Sequence, residues 1–234
     1  MENGIALKNI SKIYHKGSNK VVVFNDLNMT INKGEFVALM GPSGSGKTTA
    51  LHLMGGLDRP TAGEVLVGNK VISKSSEAEL TRWRARHVGF IFQSNHLLPV
   101  LSAFANVELP LALTRLNKVE RRKQVATALA LVGMSERANH LPRELSGGQE
   151  QRVAIARAIV ADPDILLCDE PTGNLDRKTA DAILSLLHIL NRDFGKTIVM
   201  VTHDAKAADV ATRVINLEQV INGKADTAIP GALA

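Results

Sequence analysis

At 234 residues the chain is long enough for one large domain or for a domain with an inserted subdomain, and 45% apolar with 22% charged residues excludes a disordered chain. The formal charge of +5 is spread along the sequence and concentrates only at TRWRAR (Thr81 to Arg86), which reads as a solvated face; with six Phe, one Trp and one Tyr there is no base-stacking platform, so no nucleic-acid partner is expected. No apolar run approaches the ~20 residues that cross a bilayer, the opening MENGIALKNISK lacks the features of a signal peptide, and the single cysteine, Cys168, has no internal disulfide partner and reads as a small buried hydrophobe, so a cytosolic location is expected.

In chain order, IALKNI, VVVF and FVALM read as short β segments separated by Gly, Asn and Lys turns. FVALM runs straight into GPSGSGKTT and a helix over Lys47–Met54. VGFIF (88–92), DILLC (164–168) and TIVMV (197–201) are short and nearly all apolar, as strands buried on both faces of a parallel sheet are. Between Phe92 and Asp164 almost everything reads as helical, with no convincing strand. This interval includes a helix over residues 117–132, with Asn117 and Glu120 spaced as a capping box and Gly133 as its stop. After Asp176, the spacing of Ala180, Ile183, Leu184, Leu187 and Leu190 predicts a helix that turns one apolar face to the sheet. No repeat or linker divides the chain, so one α/β domain with a helical insertion is expected.

GPSGSGKT fits G-x-x-x-x-G-K-[ST] in the context that motif needs, a strand before it and a helix after it. Gly41, Gly44 and Gly46 let the backbone bend so that amides point at phosphate oxygens, the following helix adds the positive end of its dipole, Lys47 adds a full charge, and the Thr48 hydroxyl suits Mg²⁺. ILLCDE carries a strand to Asp169, a carboxylate placed for the Mg²⁺ water shell, and Glu170 follows as acceptor for the proton of an attacking water. A second serine–glycine stretch, LSGGQEQR (Leu145 to Arg152), also has the outline of a phosphate cradle, but it carries no lysine.

With GPSGSGKTT, FIFQ, LSGGQEQR, ILLCDEPTGNLD and VTHD in this order, the sequence resembles the nucleotide-binding subunit of an ABC transporter, up to about Leu217. The resemblance implies a P-loop NTPase (RecA-like) core with an amino-terminal antiparallel β subdomain (about 4–93 and 159–222), an inserted helical subdomain (about 94–158) and a tail (223–234). It implies ATP hydrolysis with ATP and Mg²⁺, the nucleotide held by Gly41, Pro42, Ser43, Gly44, Ser45, Gly46, Lys47, Thr48 and Thr49, with Tyr14 stacked on adenine. Thr48, Gln93 and Asp169 would serve the metal, and Glu170, His203 and Gln93 the reaction. It also implies a head-to-tail homodimer in which Ser146, Gly147, Gly148 and Gln149 bind the ATP of the partner subunit, and Asn174, Leu175 and Asp176 cross the interface. The missing lysine of LSGGQ would then be supplied across that interface.

A permease is expected to dock in the groove running from Gln93 to Val100, with Leu97, Leu98, Pro99 and Val100 as contacts, holding the subunit at the cytoplasmic side of the inner membrane. FIFQSNHLLP, NVELPL and EPTGNLD resemble the lipoprotein-releasing and macrolide-exporting branch; a regulatory ATPase of a cell-division complex and a soluble non-transport ABC ATPase are the alternatives. Glu150 replaces the glutamine common in the signature, and the carboxyl end lacks the glycine turn usual before the last strand.

Overall fold

The computed structural model describes residues 3–17, 19–221 and 229–230. The amino-terminal segments form two antiparallel strands, β1 (Asn3–Lys16) and β2 (Asn19–Asn32), each far longer than the apolar runs within them. Asn9 and Asp26 interrupt the register with φ of 51° and 62°, conformations that Asn and Asp tolerate, and Asn9 Nδ2 donates to Asp26 Oδ1 at 2.8 Å. β3 (Phe36–Met40) then leads to α1 (Lys47–Met54), the bounds expected for that helix. β4 (Ala62–Val67) pairs with the other edge of β1, and β5 (Lys70–Val71) with β4, giving the order β2-β1-β4-β5. TRWRAR falls on α2 (Glu77–His87), which opens on a capping box of Ser76 and Glu79. Arg82 and Arg86 are exposed, as a solvated face requires, but Trp83 between them is buried in the core.

β6 (Val88–Ile91) is followed by α3 (Ala103–Glu108), α4 (Lys118–Leu131) and α5 (Gly147–Ile159), joined by short 3₁₀ turns, with no strand among the described residues before β7 (Ile165–Asp169). The capping box of α4 is present: Asn117 Oδ1 accepts from the Val119 and Glu120 amides, while Glu120 Oε2 accepts from the Asn117 amide at 2.7 Å. Next come α6 (Arg177–Arg192), β8 (Thr197–Val201), α7 (Ala205–Ala208), β9 (Arg213–Asn216), α8 (Leu217–Ile221) and β10 (Ile229–Pro230). β10 pairs antiparallel with β9 through Ile229 and Val214; the rest of the tail expected at 223–234 lies outside the described residues.

The second sheet has the order β10-β9-β3-β8-β7-β6 and is parallel from β9 to β6. Its central strands are apolar throughout because both faces are covered, and the two-residue period of a strand sorts their side chains. Phe36, Ala38, Leu166, Cys168, Ile198 and Met200 join one core with α3 to α6. Val37, Leu39, Ile165, Leu167, Val199 and Val201 join the other with α1, α2 and the antiparallel sheet. Burial pushes the Cys168 thiol far above its ordinary range, so it is inert and only packs, as its sequence position implied. On α6, Ile183, Leu184, Leu187 and Leu190 face inward as their spacing predicted. The result is a row of strand carboxyl ends, from β3, β7 and β8, that open on one edge of the sheet, where ligands of open α/β folds bind.

Candidate active site

The loop from β3 to α1 is shaped by its glycines. Gly46 has φ of 93°, and a β-carbon there would come within 2.7 Å of Val23 and 2.8 Å of the Phe24 ring, so both conformation and space require glycine. Gly46 caps α1 without a side-chain hydrogen bond, which leaves the first-turn amides of the helix to serve a ligand. Lys47 is buried, and its Nζ donates to the carbonyls of Gly41 and Pro42 at 2.8 Å each. The Ser45 hydroxyl is buried with no hydrogen-bond partner among the described residues.

Across from α1, β7 delivers Asp169. Thr48 Oγ1 donates to Asp169 Oδ2 at 3.0 Å, so the two oxygens expected to serve Mg²⁺ lie together. Burial raises the Asp169 carboxyl above its ordinary pKa, with the Thr48 hydrogen bond and the charges of His52 and Lys47 opposing it. A hydroxyl and a carboxylate are the hard oxygen donors that Mg²⁺ prefers, so the residues present fit the ion. Glu170, the next residue, leaves the strand in the left-handed region, at φ 45°, held by its amide donating to the Val201 carbonyl at 2.9 Å. Such strain in a glutamate persists only where the surroundings fix it. Here it turns the carboxylate to His203, whose Nδ1 lies 3.0 Å from Glu170 Oε1; the carboxylate can only accept, so Nδ1 carries the proton of this bond.

Ser43, Gly44, Gly46, Lys47, Thr48, Thr49, Glu170 and His203 line one cavity of about 660 Å³. Gln93 does not line this cavity but lies close to Glu170 across Gly173: a β-carbon at Gly173 would lie 3.0 Å from Gln93 Nε2 and 3.3 Å from Glu170 Oε2, so the absence of a side chain lets these two groups converge. Tyr14 is exposed and does not line this cavity; its hydroxyl donates to Asp58 Oδ2 at 2.5 Å, and on β1 it pairs with Val21 of β2, two residues from Val23 in the cavity wall.

Ser146, Gly147, Gly148 and Gln149 do not line this cavity. They start α5, where Ser146 and Gln149 form a capping box: the Ser146 hydroxyl accepts from the Gln149 amide at 3.3 Å and Gln149 Oε1 accepts from the Ser146 amide at 2.9 Å. Gly147 has open space around it, whereas a β-carbon at Gly148 would lie 2.3 Å from Thr179 Cγ2. Of the neighbouring segment, Asn174 is exposed, Leu175 packs on the core, and Asp176 caps α6 by accepting from the Thr179 amide at 3.1 Å.

In the loop after Gln93, Leu98 and Val100 are exposed, Val100 at 82%, while Leu97 packs against the core. The loop is held mostly by residues that the sequence did not single out, Glu150 excepted. Buried Asn106 accepts from the Leu98 amide at 2.8 Å and donates to the Leu98 and Leu101 carbonyls. Arg157 donates to the Asn95 and His96 carbonyls, Gln151 to those of Phe92 and Pro171, and Glu150 accepts from Asn95 Nδ2 at 3.0 Å. A fully polar Asn inside the apolar FANVEL run was the available signal for the first of these.

The sequence profile of the ABC transporter family matches residues 24–173, more than half of the chain. This chain belongs to that family. As an ABC ATP-binding domain it is an ATPase. MJ0796 of Methanocaldococcus jannaschii, an ABC transporter ATP-binding protein, is 47% identical over 218 residues, 92% of this chain and 93% of that one. Its dimeric structure in a post-hydrolysis state bound to ADP and Pi superposes with a TM-score of 0.84, covering 91% and 93% of the two chains. The lipoprotein-releasing system ATP-binding protein LolD of Francisella tularensis is 43% identical over 226 residues, 96% of each chain. The macrolide export ATP-binding/permease protein MacB of Rhodopseudomonas palustris is 45% identical over 232 residues, 98% of this chain but 35% of that longer one. The ABC cassette therefore falls in the lipoprotein-releasing and macrolide branch that its motifs resemble.

Proposed function

We propose that this cassette works as a head-to-tail homodimer with ATP at the interface, on the cytoplasmic face of a membrane, and drives separate permease subunits in export or lipoprotein extraction. One observation carries the dimer: the cavity gathers Lys47, Thr48, Glu170 and His203, yet the second serine–glycine cradle at Ser146 to Gln149 is not part of its lining and sits at the start of α5. A second copy supplies what each chain lacks. The dimeric structure of the MJ0796 relative supports this arrangement, and the LolD and MacB relatives support the export branch.

In this reading the Gly41 to Thr49 loop and Lys47 hold the phosphates, while Tyr14 stacks on the base. Thr48 and Asp169, with Gln93, hold Mg²⁺, which when bound neutralises charge on the phosphate oxygens. Glu170 accepts a proton from water as the water oxygen bonds to the γ-phosphorus; the bond from phosphorus to the bridging oxygen breaks and ADP departs. His203 orients the Glu170 carboxylate and faces the same phosphate. Asn174, with Leu175 and Asp176 behind it, meets the partner. The helical subdomain at 94–158 presents Leu98, Pro99 and Val100 to the permease, so closure of the dimer moves the docked membrane subunit.

Glu170→Gln tests the composite site. It removes the proton acceptor and keeps the phosphate donors, so with ATP and Mg²⁺ the variant is expected to elute as a dimer in sizing chromatography while hydrolysis falls by about 100-fold or more. A variant that binds ATP but stays monomeric would contradict the proposal.

A further inference from the structure

Tyr14 does not stand alone on β1. Two residues before it, on the same face of the strand, Lys12 is 7% exposed, and its Nζ lies 4.5 Å from the centre of the Tyr14 ring. A buried ammonium needs partners, and Lys12 has them: Nζ donates to Asp58 Oδ1 and to the Arg59 carbonyl, both at 2.7 Å. Asp58 is fully engaged in turn. Its Oδ1 also accepts from the Arg59 amide at 2.7 Å, and its Oδ2 accepts from the Tyr14 hydroxyl. Asp58 lies in the loop just beyond α1, so the ring is tied to the carboxyl end of the helix that begins at the phosphate loop.

We propose that Lys12 and Asp58 are positioning residues for the nucleotide base: Lys12 supports the buried face of Tyr14, Asp58 fixes its hydroxyl, and the ring's exposed face is thereby held at a set distance from the phosphate loop. The proposal rests on the stacking role given to Tyr14 above. Its physical content is preorganisation. A tyrosine free to swing would lose rotamer freedom on stacking, whereas one held by an ion pair and a hydrogen bond has lost it on folding. The cation beneath the ring also draws electron density from it, which favours stacking of an aromatic base on the opposite face. Consistent with the contacts, burial and the Asp58 carboxylate raise the Tyr14 phenol above its ordinary pKa. Burial pushes the Asp58 carboxyl up, but hydrogen bonds from Lys12, Tyr14 and the Arg59 amide outweigh this and hold it below the usual carboxylate value.

The test compares ATP with inorganic tripolyphosphate, which has the phosphates and no base, by calorimetry on the intact chain. Asp58→Asn and Lys12→Met are each expected to weaken ATP by about three- to tenfold and to leave tripolyphosphate unchanged. Tyr14→Ala is expected to weaken ATP at least as much, again sparing tripolyphosphate. Because Tyr14 is the chain's single tyrosine, near-ultraviolet absorbance titrates it alone, and Asp58→Asn should lower the pH at which its phenolate forms. Equal losses for both ligands would show a general defect in α1 and overturn the positioning role. So would unchanged ATP binding in both Lys12→Met and Asp58→Asn while Tyr14→Ala still weakens it. Unchanged ATP binding in Tyr14→Ala would instead remove the stacking role itself.

Discussion

Gly147 and Gly148 are adjacent in sequence and alike in composition, but they answer to different constraints. Gly147 faces open space, whereas Gly148 lies where a methyl group would meet Thr179 Cγ2 at 2.3 Å. Gly148→Ala is therefore expected to lower the melting temperature of the apo chain. Thr179→Ser removes the clashing methyl, keeps a hydroxyl for Asp176, and should recover much of that loss in the double variant; no recovery in thermal unfolding would refute the packing role. Gly147→Ala should leave stability near wild type, which makes it the cleaner probe of the cradle's work on phosphate. Ser146 is less clean, since its hydroxyl already caps α5. LSGGQ reads as a phosphate cradle in the sequence, while the fold shows that its Ser146 and Gln149 also hold the helix start. The fold also brings together Lys12 and Asp58, which lie 46 residues apart and follow no periodicity that would join them.

Among the elements, those with strong periodicity or local stop signals were legible. α1 and β8 have the expected bounds, α4 has its capping box, and α6 turns the expected stripe inward. α2 was not legible as a helix, because its buried residues are only Leu80 and Trp83, embedded in charged neighbours, and so its basic run hid the helical period. β4 and β5 were missed for a related reason: as strands of the half-exposed antiparallel sheet they lack the all-apolar look of β7 or β8. The α6 stripe also gives a measurable expectation. Leu187 on α6 is fully buried in the core that α6 shares with the sheet, so Leu187→Ala should destabilise the chain by about 2–5 kcal/mol in denaturant unfolding, the range for an uncollapsed core cavity. Ile189 on the opposite face is 40% exposed, and its alanine variant should cost much less. Similar losses at the two positions would contradict the assignment of faces.

For the whole molecule, the order of strands decides what one chain can do alone. The parallel sheet brings the phosphate loop, Asp169, Glu170 and His203 to one edge, while the insertion after β6 carries the second cradle away on α5. The central claim is that these two halves meet only between chains, and complementation tests it most directly. Lys47→Ala should lack a working phosphate loop, Gly147→Ala a working cradle, and each protein alone should hydrolyse ATP at least about 10-fold more slowly than wild type. A mixed dimer contains one site in which an intact loop faces an intact cradle, so mixing the two inactive proteins should restore hydrolysis to a substantial fraction of wild type. If the mixture stays as inactive as its parts, the site is not shared between two chains.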